Sequence, residues 1–181
     1  MEFVKTKLNG VLLIYPQLFV DPRGCLFETY RNNKYIENGV DTCFVQDNCS
    51  VSKNNVLRGI HYQYEKPQGK LIEVVSGEIV DIVVDLRKNS KTFGQWISVN
   101  LSSKNKYQIW IPIGFGHAFY VKSEAAQVFY KLTQYYDLES ERCIIWNDPT
   151  LNIKWPIPKG ITPELSPKDK NGKLFKDAEY F

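Results

Sequence analysis

Histidine is scarce: the 181-residue chain holds two, His61 and His117. A metal centre built on three histidines is therefore excluded. Cysteine is sparse as well, and Cys25, Cys43, Cys49 and Cys143 form no Cys-x-x-Cys pair and stand beside no histidine. That pattern suits unpaired thiols in a reducing cytoplasm. No apolar run is long enough to span a bilayer. No N-terminal stretch joins a basic region, an apolar run and a small-residue cleavage site. The chain is thus expected to be cytoplasmic, with no membrane partner. Charge of one sign is lacking too: 23 basic and 20 acidic residues leave a net +3. Without a clustered basic stripe, nucleic acid is not an expected partner, whereas a small anionic substrate is compatible. No repeat, low-complexity tract or linker interrupts the chain, so residues 1–181 read as one domain.

Apolar residues, at 43%, and aromatics, at 14%, mark a globular chain rather than a disordered one. A domain of this size buries about 70% of the surface its unfolded chain exposes, enough to fold without a metal or disulfide staple. Short β-type segments dominate. Strands are expected over 11–15, 44–48, 56–63, 95–101, 107–112, 117–121 and 127–136, with a helix near 33–38. Lys70 to Val75, the dipeptide Ser76-Gly77 and the return Glu78 to Leu86 read as a hairpin. On the return, Val80, Ile82, Val84 and Leu86 share one face and Asp81 and Asp85 the other, as in a half-buried antiparallel strand. Turns at short, regular spacing point to an all-β sandwich or barrel. From Asp148 onward the chain is rich in Pro and Lys and is expected to wrap the surface in loops with a short helical turn.

The spacing Pro112-x-Gly114-x-x-His117 resembles the second motif of the cupin superfamily, in which Pro and Gly make a tight turn that delivers His to the barrel lining. The first cupin motif expects a second His two residues after the first, where this chain has Gln63. The ligand set is incomplete, and no bound metal is expected. Strand alternation places His61 and Gln63 on one face and Arg58, Ile60 and Tyr62 on the other.

Longer stretches carry a more specific resemblance. FVDPRGCLFETY (Phe19 to Tyr30), FVQDNCSVSKNNVLRGIHYQ (Phe44 to Gln63) and QGKLIEVVSGEIVDIVVDLRKNSKTFGQW (Gln68 to Trp96) come first. IPIGFGHAFYV (Ile111 to Val121), VFYKLTQYY (Val128 to Tyr136), WNDP (Trp146 to Pro149) and LSPKD (Leu165 to Asp169) follow in order. Together they resemble the dTDP-4-dehydrorhamnose 3,5-epimerase family over nearly the whole length. Cys25 departs from the family pattern, standing where an aromatic is common.

The resemblance implies a cupin-like jelly roll, a homodimer with exchanged N-terminal strands, no metal and no cofactor. It implies a dTDP-linked 4-keto-6-deoxy sugar whose carbons 3 and 5 are epimerised through an enolate. His61 is then the base, since an unperturbed pKa near 6.5 suits proton abstraction at neutral pH. Asp169 is its carboxylate partner. Lys70 faces the enolate oxygen, and Tyr130 is the acid on the opposite face. Read as one strand, Tyr130 and Tyr136 share a face. Binding of the nucleotide sugar is expected from Gln46, Asn48, Arg58, His117, Tyr136, Glu141 and Lys168, with Arg23 and Glu28 reaching the partner's pocket. Three other readings stay open at this point: a carbon-3-only epimerase or 3,4-ketoisomerase, a metal-dependent cupin oxygenase, and a sugar-nucleotide-binding cupin without catalysis.

Overall fold

The computed structural model describes residues 1–181. Thirteen strands, two short α-helices and one 3-10 turn at Phe175–Asp177 make up its elements. The strands are β1 (Glu2–Lys5), β2 (Leu12–Tyr15), β3 (Phe19–Asp21), β4 (Gly24–Leu26), β5 (Gln46–Lys53), β6 (Leu57–Gln63) and β7 (Lys70–Ser76). They continue with β8 (Glu78–Asp85), β9 (Trp96–Ser102), β10 (Gln108–Ile111), β11 (Phe115–Val121), β12 (Ala125–Leu132) and β13 (Glu141–Cys143). The helices are α1 (Asn32–Glu37) and α2 (Pro167–Lys170). No helix is long and apolar enough to cross a membrane.

Two antiparallel sheets face one another, in the all-β cupin-like arrangement expected. One is six-stranded, in the order β1-β2-β10-β7-β12-β5, and the other five-stranded, in the order β13-β6-β11-β8-β9. The space between them is filled by Ile72, Val74, Ile109, Ile111 and Val128 from the first sheet and Ile79, Val83, Ile97, Leu101, Phe115 and Phe119 from the second. Interdigitated apolar side chains of this kind supply most of the driving force for stacking two sheets. β3 and β4 form a separate hairpin that pairs with neither sheet.

The expected 70–86 hairpin does not form. β7 and β8 lie in different sheets, and only Gly77 links them. Gly77 has φ +81°, and a Cβ there would lie 2.1 Å from the Ala125 carbonyl oxygen. The apparent turn dipeptide is thus a crossover between layers, at a point where only glycine fits. The half-buried reading of β8 also fails, because both its faces are covered. Ile79 and Val83 point into the sandwich. Val80, Ile82, Val84 and Leu86 pack under Leu151, Ile153 and Phe175 of the C-terminal segment. Asp81 and Asp85 are fully buried. On the far side of the six-stranded sheet, Leu12, Ile14, Leu71 and Trp110 pack beneath Tyr35 of α1 and Val40.

Two strand boundaries matter for function. β12 ends at Leu132, so Tyr136 sits on the following loop and shares no strand face with Tyr130. In β6 the alternation breaks. Opposite β11, His117 pairs with His61 and Phe119 with Arg58, so β6 spends three residues where β11 spends two. Gly59, at φ +109°, carries this bulge, and a Cβ on it would lie 2.4 Å from the His117 carbonyl oxygen. The bulge turns Arg58 to the same side as His61, contrary to simple alternation, while Ile60 and Tyr62 remain in the outer apolar layer.

Candidate active site

A cavity of about 510 Å³ opens between the sheets at the β6, β7 and β12 end. Its size suits a small-molecule ligand. The five-stranded sheet contributes Arg58, His61 and His117, and the six-stranded sheet Asn48, Ser50, Lys70 and Tyr130. Tyr136, Glu141 and Lys168 stand at its mouth. A larger groove of about 790 Å³ beside α1 and the start of β5 holds Asp41, Asp47 and Lys131 but neither histidine. The titratable cluster lies in the smaller cavity, and the chemistry goes with it.

His61 is tied from behind. Its Nε2 lies 2.5 Å from Asp169 Oδ1, and the carboxylate side chain is only 2% exposed against 23% for the imidazole. Asp169 comes from α2, whose first turn Ser166 caps: its Oγ accepts from the Asp169 N–H (3.1 Å) and donates to Oδ2 (2.7 Å). The Gly59 N–H adds a 3.2 Å bond to Oδ1. Burial works to raise the Asp169 carboxyl, but the bonds from His61, Ser166 and Gly59 outweigh it and hold it at about 2. An ionised Asp169 on Nε2 keeps the proton on that nitrogen and leaves Nδ1 as the unprotonated one. Burial lowers the His61 pKa, Asp169 opposes that shift, and Lys168 and Lys70 reinforce it. The net lowering keeps the ring neutral at pH 7.

His117 has its own carboxylate. Its Nε2 lies 2.7 Å from Asp81 Oδ2, and both side chains are buried. Sequence reasoning put Asp81 on a solvated face, and the structure corrects this. The available signal was energetic: a carboxylate in an apolar strand is costly to bury without a partner. Asp81 Oδ1 has no hydrogen-bond partner. Burial pushes the Asp81 carboxyl up, with His117 and Lys70 opposing.

Across the cavity, burial pulls Lys70 down to about 8, with Glu141 and Asp81 resisting and Lys168 adding to the fall. Burial pushes Tyr130 up to about 12, against a hydrogen bond to Ser50 and the charge of Arg58. The Tyr130 and His117 ring centroids are 6.4 Å apart. The two rings meet edge to face, so the sheets close on one another at this point of the cavity lining.

At the mouth, Lys168 Nζ lies 2.6 Å from Glu141 Oε1, and the Tyr136 hydroxyl donates to Glu141 Oε2 (3.1 Å). Gln46 does not line the cavity; its Oε1 accepts from the Tyr136 N–H (2.9 Å) and its Nε2 donates to Asn48 Oδ1 (2.9 Å). It thereby pins the Tyr136 loop to β5. Arg58 Nε donates to Ser52 Oγ (3.0 Å). Arg23 and Glu28 are absent from the cavity of this chain. Arg23 pairs with Asp21 on the β3–β4 hairpin, and Glu28 pairs with Lys34 and Arg31.

His61, Cys143 and Asp169 bring three potential metal donors within 4.8 Å of one another. Hydrogen bonds already occupy that set: Asp169 Oδ1 serves His61 and Gly59, and burial pushes the Cys143 thiol up to about 12. A thiolate ligand would have to form against that burial.

Fold and site together define the class: a cupin-like β-sandwich with a titratable cavity between its sheets. A family model described as dTDP-4-dehydrorhamnose 3,5-epimerase matches residues 5–177. The dTDP-4-dehydrorhamnose 3,5-epimerase of Neisseria gonorrhoeae is 50% identical over 179 residues, 99% of this chain; the chain spans 54% of that relative's length. The enzyme of the same name from Pseudomonas aeruginosa is 48% identical over 182 residues, covering 100% of this chain and 99% of its own. A crystal structure of dTDP-6-deoxy-D-glucose-3,5-epimerase from Legionella pneumophila, in complex with dTDP-4-keto-L-rhamnose, superposes with a TM-score of 0.94 at 45% identity, covering 98% of this chain and 94% of that one. The chain belongs to the dTDP-4-dehydrorhamnose 3,5-epimerase family.

Proposed function

We propose that this cavity inverts carbons 3 and 5 of dTDP-4-dehydro-6-deoxy-D-glucose, giving dTDP-4-dehydro-L-rhamnose in the cytoplasm. One observation carries the reading: a histidine on one sheet, backed by Asp169 of α2, shares a single cavity with a lysine and a tyrosine of the other sheet. Protons on carbons beside a ketone are acidic because the carbonyl oxygen can hold the charge. His61 Nδ1 takes such a proton. The C–H electron pair forms a carbon–carbon double bond, and the carbonyl pair moves onto oxygen as an enolate. Lys70 Nζ stabilises that oxygen, a contribution made chiefly in the transition state. When the enolate collapses, the carbon takes the phenolic proton of Tyr130 from the opposite face and its configuration inverts. The tyrosinate regains a proton and the imidazolium loses one, both by exchange with solvent. Each cycle moves protons only, and two cycles invert two carbons.

Arg58 and Lys168 supply the cations for the diphosphate, and arginine's planar fork suits phosphate oxygens. Asn48, His117, Tyr136 and Glu141 hydrogen-bond sugar and base. Arg23 and Glu28 join the site in a homodimer, in which each subunit lends the other its N-terminal hairpin. What supports that role is the hairpin's isolation from both sheets and the exposure of Phe19, Val20 and Leu26 on it.

The test is solvent exchange. Incubation with dTDP-4-dehydro-6-deoxyglucose in deuterated water, followed by NMR, is expected to place deuterium at both carbons 3 and 5 with inversion. Deuterium at carbon 3 alone would replace the double epimerase with a single one. Folded protein giving no deuterium at either carbon would overturn the reading.

A further inference from the structure

Tyr130 is a poor acid as burial leaves it, and its phenol has a single hydrogen-bond partner in the chain. Ser50 Oγ lies 2.9 Å from the Tyr130 hydroxyl. The two side chains meet because β5 and β12 pair in unbroken register from Gln46 opposite Leu132 to Lys53 opposite Ala125. Asn48 is directly opposite Tyr130 and Ser50 opposite Val128. Ser50 is thus the diagonal same-face neighbour, within reach of an aromatic side chain. Two residues along the same face, Ser52 makes the analogous bond to Arg58. β5 is the last strand of its sheet, and its inner face presents serines to two cavity groups on other strands.

A phenol has one proton and two lone pairs. To protonate a carbon, Tyr130 must aim its O–H into the cavity, so its oxygen needs a donor from elsewhere to fix that rotor. After the transfer the oxygen bears the charge of a tyrosinate and needs a donor still more. Ser50 meets both demands with the same O–H. We propose that Ser50 is the positioning residue of the reprotonation step, aiming the Tyr130 hydroxyl and then donating to the tyrosinate oxygen. This rests on the reading of Tyr130 as the opposite-face acid.

The test separates two readouts, deuterium wash-in and inversion, in wild type, Ser50→Ala, Tyr130→Phe and the double variant. Ser50 is only half-buried, and alanine retains its Cβ, so the variant should fold. In Ser50→Ala, inversion is expected to fall by about 10- to 100-fold, the worth of a hydrogen bond to a charged group. Wash-in by the base should stay within about 2-fold, so deuterium enters with retained configuration. Ser50→Thr should restore most of the inversion. In the Tyr130→Phe background, Ser50→Ala should change wash-in by no more than about 2-fold, because Ser50 acts only through Tyr130. A general structural role would lower wash-in and inversion together in both backgrounds, and that result would overturn the proposal. So would normal inversion in Ser50→Ala while Tyr130→Phe has lost it. Normal inversion in Tyr130→Phe would instead overturn the acid assignment on which the proposal rests.

Discussion

Replacing Asp169 with Asn tests the dyad most directly, because the change keeps the shape and removes the charge. In the resting site a neutral His61 donates from Nε2 to the carboxylate at 2.5 Å. In the transition state the ring becomes an imidazolium, and its charge centre lies about 4 Å from that of the carboxylate. At an effective dielectric constant near 20, such a pair is worth about 4 kcal/mol. Losing it should slow proton abstraction by on the order of 10³. An amide can also donate to Nε2, which would push the ring proton to Nδ1 and block the base. Both effects have the same sign.

The assay is wash-in of solvent deuterium across pH. Asp169 raises the His61 pKa, so its removal should move the acidic limb of the profile to lower pH, even as the plateau falls. Stability must be followed alongside. Asp169 is depressed to about 2 against an ordinary carboxyl near 4, so its ionised form contributes roughly 2 kcal/mol to folding. That contribution is full above about pH 4 and is lost as pH falls through about 2. The variant should therefore melt earlier at neutral pH, and rates must be taken well below its transition. A loss smaller than about 10-fold from folded protein, or an acidic limb that moves upward, would refute the reasoning.

Lys70 predicts the other limb: as pH rises through about 8 the ammonium loses its proton, and turnover should fall with it. Lys70→Met should cost about 10²–10³ in turnover, the usual worth of a donor at a developing oxyanion, and should abolish that alkaline limb. Light scattering should return twice the 21.0 kDa chain mass. If the hairpin reaches the partner's cavity, Arg23→Ala should raise KM by about 10-fold with little change in turnover. A monomer with full activity would exclude the exchanged hairpin.

Much of the layout is legible in the sequence because strand patterning is local. The segments over 11–15, 56–63, 107–112 and 117–121 and the short helix at α1 are each set by alternating or bounded apolar residues and by turn residues close at hand. What alternation misses depends on partners distant in sequence. Ser76-Gly77 has the composition of a hairpin turn, but β7 pairs within the six-stranded sheet and β8 within the five-stranded one. No local signal distinguishes a turn from a crossover there. Arg58 and His61 differ by an odd number and still share a cavity, since one extra residue at Gly59 reverses the parity. Asp169 is 108 residues from the ring it holds. Spacing alone could not have joined them, and only the resemblance of LSPKD to the family motif did so. Ser50 looks like any strand serine until β12 is laid against β5.

The two histidines show how one scaffold separates roles that the sequence leaves equivalent. They are directly paired across β6 and β11, and each gives Nε2 to a carboxylate. Their surroundings differ. Asp169 is drawn down by three donors, and its histidine is open to the cavity. Asp81 is pushed up by burial, has one oxygen unpartnered, and its histidine is 6% exposed. A base must receive a proton from substrate and return it to solvent, which requires access. A positioning group needs only a fixed direction. By that criterion His61 fits the proton-transfer role and His117 the role of orienting the sugar. With both Nε2 atoms bonded to carboxylates, Nδ1 is the nitrogen each ring has left for a ligand, and only that of His61 belongs to a ring with appreciable exposure.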